Sequence, residues 1–305
     1  MSEQRTADIP EGWGIPLQAV ACERCGWTYL LPLGRSLFTC PHCFQATPVP
    51  LSDELDALPT LRPPEFIVPF ALSGETLAQR VADFARGIPF PPEDLNAAAL
   101  QSRMQPIYLP TWLVDAEVDA LWEGEAGFNY QVVSHQEHYD DRRRGWVTRE
   151  VEETRVRWEP RVGRLCRTYQ NVPAPALEED RALRKRLGDW DETEMEPYRP
   201  ALLSGAFVAL PDRTPADAWP AVVPALRKRA AEECSQAADA DHLRQFRWKH
   251  ERANRNWTRL LMPLYATYYE DDEGCAQALL IHSQTGRVDG ARRASMRRAR
   301  RRALI

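Results

Sequence analysis

The spacing of apolar residues changes several times along this chain, and each change marks an element. In "FIVPFALSGETLAQRVADFARG" (66–87), Leu77, Val81 and Phe84 recur at helical spacing behind Ser73, a residue type that caps helices. The pattern predicts a helix starting just after Ser73. "PPEDLNAAALQSRM" predicts a second, with proline in its first turn. "PIYLPTWLVDAEVDALW", "FNYQVVSHQEHY", "RGWVTREVEETRVRW" and "GRLCRTYQNVPA" are rich in β-branched and aromatic residues and read as four strands, with "DDRRRG" as a hairpin loop. "EEDRALRKRLGDW" and "PADAWPAVVPALRKRAAEECSQAADADHL" read as helices, the latter interrupted at Pro224. The remainder returns to strand, with "DDEG" as a turn. Strands in blocks and helices in blocks predict an α+β fold with a largely antiparallel sheet and flanking helices.

Ahead of this body stands "CERCGWTYLLPLGRSLFTCPHCF" (22–44), with two C-x-x-C pairs. A tight turn between cysteines two residues apart points both sulfurs inward, so two such turns make a tetrahedral S4 site that suits zinc. Cys22, Cys25, Cys40 and Cys43 are the expected ligands. An iron site of rubredoxin type and four unligated thiols are the alternatives. Gly26 after the first knuckle, Pro41 within the second and short strand-like pieces between them fit a zinc ribbon over 18–50. His42 is expected to face solvent without binding metal. Four cysteines leave no open coordination position, so the one zinc ion is expected to be structural, supplying the folding free energy that so small a core lacks. "TPVPLSDELDALPTLRPPEF" (47–66) is proline-rich and acidic and places a linker at 51–65, isolating the ribbon from an α+β domain at 66–290.

Composition narrows the picture. Seven cysteines, only four of them in paired knuckles, argue for metal binding in a reducing compartment rather than a disulfide framework. No apolar run reaches the roughly 18 residues that span a bilayer, and the N-terminus lacks a signal-peptide pattern. A cytoplasmic protein is expected. The net charge of −5 hides an asymmetry: Arg292, Arg293, Arg297, Arg298, Arg300, Arg301 and Arg302 crowd a segment (291–305) with no acidic residue. Without them the basic residues fall from 39 to 32 against 44 acidic, a balance of −12. These arginines are the candidate contact for an anionic surface, lipid or nucleic acid.

Two segments echo each other. "IYLPTWLVDAEV" (107–118) and "LLMPLYATYYED" (260–271) both set a proline after an apolar triplet and lead into an aromatic-containing strand. Two equivalent strands of a pseudo-symmetric sheet would give this pattern, and so would chance.

The knuckles, "YLPTWLVDAEV", "WEPRVG", "PALLSG" and "LMPLYATYY…LLIHSQTGRVDG" resemble a family of bacterial TFIIB-type zinc-ribbon proteins, across about residues 18 to 290. Its members are often labelled as the primosomal replication helicase and occur with band-7 (SPFH), virion-core-like and phage-shock membrane-stress proteins. The resemblance implies a protein partner of that kind. Family members commonly continue from the last strand into a transmembrane segment, whereas this sequence runs into the arginine-rich segment, which implies tethering by charge at the inner face of the membrane or a shortened chain. The helicase label finds no support in the residues. A nucleotide-driven motor needs G-x-x-x-x-G-K-[ST], and none of Lys185, Lys228 and Lys249 follows a glycine.

Other candidate chemistry is thin. His135 and His138 lie three apart, on opposite faces of a strand. Cys166 reads as a packed thiol. Asp115 and Glu117 share a strand face but lack a nearby nucleophile. The leading expectation is a non-enzymatic adaptor working near the cytoplasmic membrane; the competing one is a nucleic-acid-binding zinc-ribbon protein.

Overall fold

A computed structural model describes residues 12–35, 39–51, 62–140, 142, 144–203 and 205–303, apart from the side chains of 140 and 250–253. The strands are β1 (Leu17–Ala21), β2 (Thr28–Pro32), β3 (Val49–Pro50), β4 (Phe66–Ile67), β5 (Gln105–Asp140), β6 (Gly145–Pro175), β7 (Glu196–Pro197), β8 (Phe207–Ala209), β9 (His242–Glu270), β10 (Ala276–His282) and β11 (Val288–Gly290). The α-helices are α1 (Gly74–Arg86), α2 (Ala97–Ser102), α3 (Asp180–Leu187), α4 (Pro215–Ala237) and α5 (Met296–Ala303). The strands hydrogen-bond in the order β11-β10-β9-β5-β8-β2-β1-β3, with β6 on β5 and β4 between β7 and β9. Two short pairings, β4 with β9 and β5 with β8, are parallel. The fold is mixed α/β, a tetracysteine region followed by a larger sheet flanked by helices.

The chain divides into two compact units. Unit 1 takes residues 1–113, 173–218 and 257–305; unit 2 takes 114–172 and 219–256. This division differs from the expected one. Residues 18–50 share unit 1 with most of the sheet, because β2 pairs antiparallel with β8 (Tyr29↔Ala209, Leu30↔Val208). The expected linker falls mostly outside the described residues.

Unit 1 buries both faces of its sheet. Along β2, Tyr29 and Leu31 enter one core cluster and Leu30 the other; Ile107 and Leu109 against Tyr108, and Leu260 and Met262 against Leu261, split the same way. Side chains alternate across a strand. A strand covered on both faces therefore reads as an uninterrupted apolar run, which is what "YLL", "IYL" and "LLM" are. α1 forms as its sequence predicts: Ser73 Oγ accepts from Thr76 N, and Leu77, Val81 and Phe84 are buried. α2 is shorter than expected, since Asn96 caps it at Ala99 N and the prolines stay outside.

The two proline-led segments begin on adjacent strands, β5 and β9, each beside a short parallel neighbour: β8 at Ile107–Tyr108 and β4 at Leu260–Leu261. Their rings differ, however. Trp112 is buried with its indole N–H on Arg213 O at 2.9 Å, while the half-buried Tyr265 reaches Leu72 O at 3.4 Å.

Unit 2 is built from the long stretches of β5, β6 and β9. The four strands expected in this region merge into two. Gly124 and Gly127, between two of the expected strands, are close approaches within β5. A Cβ on Gly127 would lie 2.7 Å from Val156 and 2.9 Å from Trp158; one on Gly124 would lie 3.2 Å from Leu243. Cross-strand contacts run in opposite order along the two strands (Asp119 with Arg164, Gln131 with Thr154, Tyr139 with Trp146), so β5 and β6 form an antiparallel hairpin. From Val114 to Asp140, β5 carries seven carboxylates and no lysine or arginine. Its neighbours answer with Arg164 on Asp119 (2.8 Å), Arg244 on Glu125 (2.6 Å) and Arg247 near Glu123 (3.8 Å).

α4 runs unbroken through Pro220 and Pro224, correcting the expected interruption. Val222, Leu226, Ala230 and Cys234 form a buried column at every fourth residue. Both prolines lie on the exposed side, which leaves the carbonyls they do not bond open to solvent.

Candidate metal centre

Two short turns bring the four cysteines together. Gly26 N donates to Cys22 O at 2.8 Å, and Phe44 N donates to Cys40 O at 2.9 Å. The residue after each knuckle sits in the left-handed region: Gly26 at φ 75° and Phe44 at φ 54°. Glycine occupies that region freely; phenylalanine does so at a cost. Burial offsets that cost, as Phe44 is 5% exposed with its ring 5.2 Å from that of Tyr268.

The sulfurs of Cys22 and Cys43 lie 3.7 Å apart, as do those of Cys25 and Cys40, and all four fall within 4.8 Å of one another. Four sulfurs at the Zn–S distance of about 2.3 Å on a tetrahedron would be about 3.8 Å apart. The spacing is thus that of a metal-bound set, far from a disulfide's ~2.05 Å. The residues fit one structural Zn2+.

The electrostatics favour a cation. Burial pushes the Cys25 and Cys40 thiols up, and the neighbouring cysteines add to that at Cys25. At Cys22 burial acts the same way, but backbone N–H groups of Cys25 and Arg24 outweigh it and hold the thiol below its ordinary value. Four thiolates packed this closely repel one another, and a divalent ion removes that repulsion. Tyr29, fully buried, places its hydroxyl 3.5 Å from Cys40 Sγ as an outer support.

His42 is no ligand, as expected, but it does not face open solvent. Its ring stacks on Trp27 at 4.2 Å and its Nε2 lies 3.3 Å from Glu179. Glu179 immediately precedes α3, so this contact ties the second knuckle to a helix 137 residues away. Neither Tyr29 nor Glu179 carries a motif. The twin of Gly26 at Phe44 is the one supporting residue that comparing the two knuckles in sequence would reveal.

The arginine segment folds onto unit 1. Ser295 caps α5, accepting from Arg298 N and donating to Asp272, whose carboxylate also accepts from Arg297 N at 2.9 Å. Arg292 lies over the Phe84 ring, Arg293 N bonds the Tyr269 hydroxyl, Arg298 reaches Pro91 O, and Arg301 lies 3.3 Å from Glu93. Arg300 and Arg302 are exposed.

The remaining candidates are dispersed. His135 pairs with Glu150. Asp115 accepts from Asn171 N and Glu117 from Asn254, which makes both cross-strand struts. Cys166 is exposed rather than packed, 3.4 Å from Asp119, because it lies on the sheet face opposite the buried Leu165.

Fold and site together define a mixed α/β protein organised around a closed tetracysteine zinc centre. Comparison of the chain with protein-family models, curated proteins and solved structures returns no match. Among the described residues, no helix is long and apolar enough to cross a membrane.

Proposed function

We propose that this chain is a non-enzymatic adaptor. A zinc ribbon fixes one end of the unit 1 sheet, and the β5–β6 hairpin offers a docking surface to a protein partner at the inner face of the membrane. One observation carries the reading. Of ten exposed large hydrophobic side chains among the described residues, six lie on β5 and β6 in unit 2: Leu121, Tyr130, Val133, Tyr139, Trp146 and Val162. Apolar side chains gathered on one element, rather than scattered, mark interaction surfaces. The resemblance to proteins found beside band-7, virion-core-like and phage-shock proteins suggests a membrane-stress setting, and the arginines of α5 supply an attraction to anionic lipid worth at best about 1 kcal/mol each.

Affinity purification from the native cell, followed by mass spectrometry, tests this reading. Membrane-stress proteins are expected, their recovery lost when Tyr139 and Trp146 are replaced by serine. A second reading, nucleic-acid binding, draws on the five arginines of α5. It gains if replication or transcription machinery is recovered, or if duplex DNA binds more tightly than phosphatidylserine vesicles at physiological salt.

A further inference from the structure

β6 is an edge strand. Among the described residues its only strand neighbour is β5, so one side of its backbone has no partner strand from Trp146 to Val172. Long open edges are templates for pairing with another strand. The side chains of β6 indicate which one.

Counted outward from Thr154, glutamate stands one residue before (Glu153) and arginine one after (Arg155). Five residues out the signs reverse, with Arg149 before and Glu159 after. An antiparallel copy of the same strand, centred on Thr154, sets each residue against the one equally far on the other side. Glu153 then faces the partner's Arg155, and Arg149 faces the partner's Glu159, each contact occurring twice by symmetry. Glu150 meets the partner's Trp158, Glu152 the partner's Val156, Val151 the partner's Arg157 and Val147 the partner's Arg161. No like charges stand directly opposite one another between residues 146 and 162. At the ends of this span Trp146 faces the partner's Val162, and these are the two most exposed large hydrophobic residues described, at 71% and 80%.

The register is demanding. A two-fold axis through an antiparallel pair keeps faces matched only with a residue on the axis. Moving the axis to Glu153 opposes that residue to itself and Arg149 to Arg157; moving it to Arg155 does the same to Arg155 and sets Arg149 against Arg161. Each shift creates like-charge pairs, which destabilise a sheet. Pro160, lacking an N–H, faces the partner's Thr148 and costs at most one ladder hydrogen bond on each side.

We infer that β6 pairs antiparallel with β6 of a second copy of this chain about a two-fold axis at Thr154, joining the two three-stranded sheets of unit 2 into one of six. Such a contact is isologous, the usual form of a symmetric dimer. In the separate chain, Glu153 and Arg155 pair with each other, as Glu159 does with Arg157 and Arg161, the arginines exposed and the two glutamates half-buried. The dimer exchanges these partners across the axis.

Sedimentation equilibrium of the purified, zinc-loaded full chain should find a dimer. Arg155→Glu should raise the dissociation constant about tenfold or more, as should Glu153→Arg. The double variant E153R/R155E restores opposite charges and should restore the dimer. Thr154→Cys, on the axis, should cross-link to itself under mild oxidation beyond the background from Cys166 and Cys275, whereas Thr148→Cys should not. A monomer up to about 100 µM, a dimer indifferent to the charge reversals, or the absence of a Thr154→Cys cross-link would each overturn the pairing. A monomer that still recovers membrane-stress proteins would sink self-pairing and leave the adaptor reading standing.

Discussion

The two units hold their strands by different means. Unit 1 buries both faces of its sheet, and Cys22 and Cys40 of the metal site belong to the same apolar cluster as Leu109, Leu260 and Leu264. Unit 2 covers its strands with one helix and spaces a single acidic strand between arginine-bearing neighbours. Desolvated packing is cooperative and costly to breach, while exposed ion pairs are worth about 1 kcal/mol or less apiece and are screened by salt. Unit 1 is accordingly expected to resist perturbation more strongly than unit 2. The comparison also explains why six of the ten exposed large hydrophobic residues lie on β5 and β6, since the lightly covered unit leaves more strand face to show them.

The sharpest way to break this contrast is to remove the metal. Cys40→Ser should abolish zinc binding, read by metal analysis, and should unfold unit 1 rather than the tetracysteine region alone, because β2 pairs with β8 inside a shared core. Structural zinc is worth about 10–16 kcal/mol apparent in finger peptides, more than most domains can lose. A zinc-free variant retaining its near-ultraviolet circular dichroism would show that the core does not depend on the metal.

Two tryptophans set the next scale. Trp112→Ala in unit 1 should cost about 3–5 kcal/mol in urea titration. Trp146→Ala in unit 2, measured below the concentration at which chains associate, should stay within about 0.5 kcal/mol. Equal costs would erase the distinction between the units.

Acid titration sharpens it further. The Arg103 guanidinium, in two hydrogen bonds to Asp94, holds that carboxyl below the usual carboxylate range against the opposing effect of its burial. A depressed folded value gives stability that is present above the unfolded value and is lost as pH falls through the folded one. Asp94→Asn should therefore destabilise unit 1 at neutral pH and flatten its acid-induced loss of stability; an unchanged acid limb would remove Asp94 from that account. Smallest of all, Arg301→Ala should change stability by less than about 0.5 kcal/mol, since its pairing with Glu93 joins two side chains about three-quarters exposed.

Local chemistry was legible in the sequence. The four thiols could be assigned because C-x-x-C fixes sulfur geometry within one turn, and Ser73 announced α1 because a cap bonds three residues ahead. Long-range partners were not. Nothing near Thr28–Pro32 signals that β2 will pair with β8, so the ribbon looked detachable. The break expected between Trp122 and Phe128 is absent because the tryptophan, valine and leucine that approach Gly124 and Gly127 lie tens of residues away or more in sequence. Pro224 looked like a helix break because one sequence cannot say that a proline will face water.

The pairing of β2 with β8 also sets an order of assembly. Cys22 and Cys43 are 21 residues apart, whereas Tyr29 and Ala209 are 180 apart. Closing the longer loop costs about 2 kcal/mol more in chain entropy. A nascent chain holds both knuckles once residue 43 has emerged, but β2 has no neighbour on its second side until residue 209 follows. The metal can therefore be captured by a short hairpin long before the sheet exists, leaving that hairpin as the template on which β8 closes.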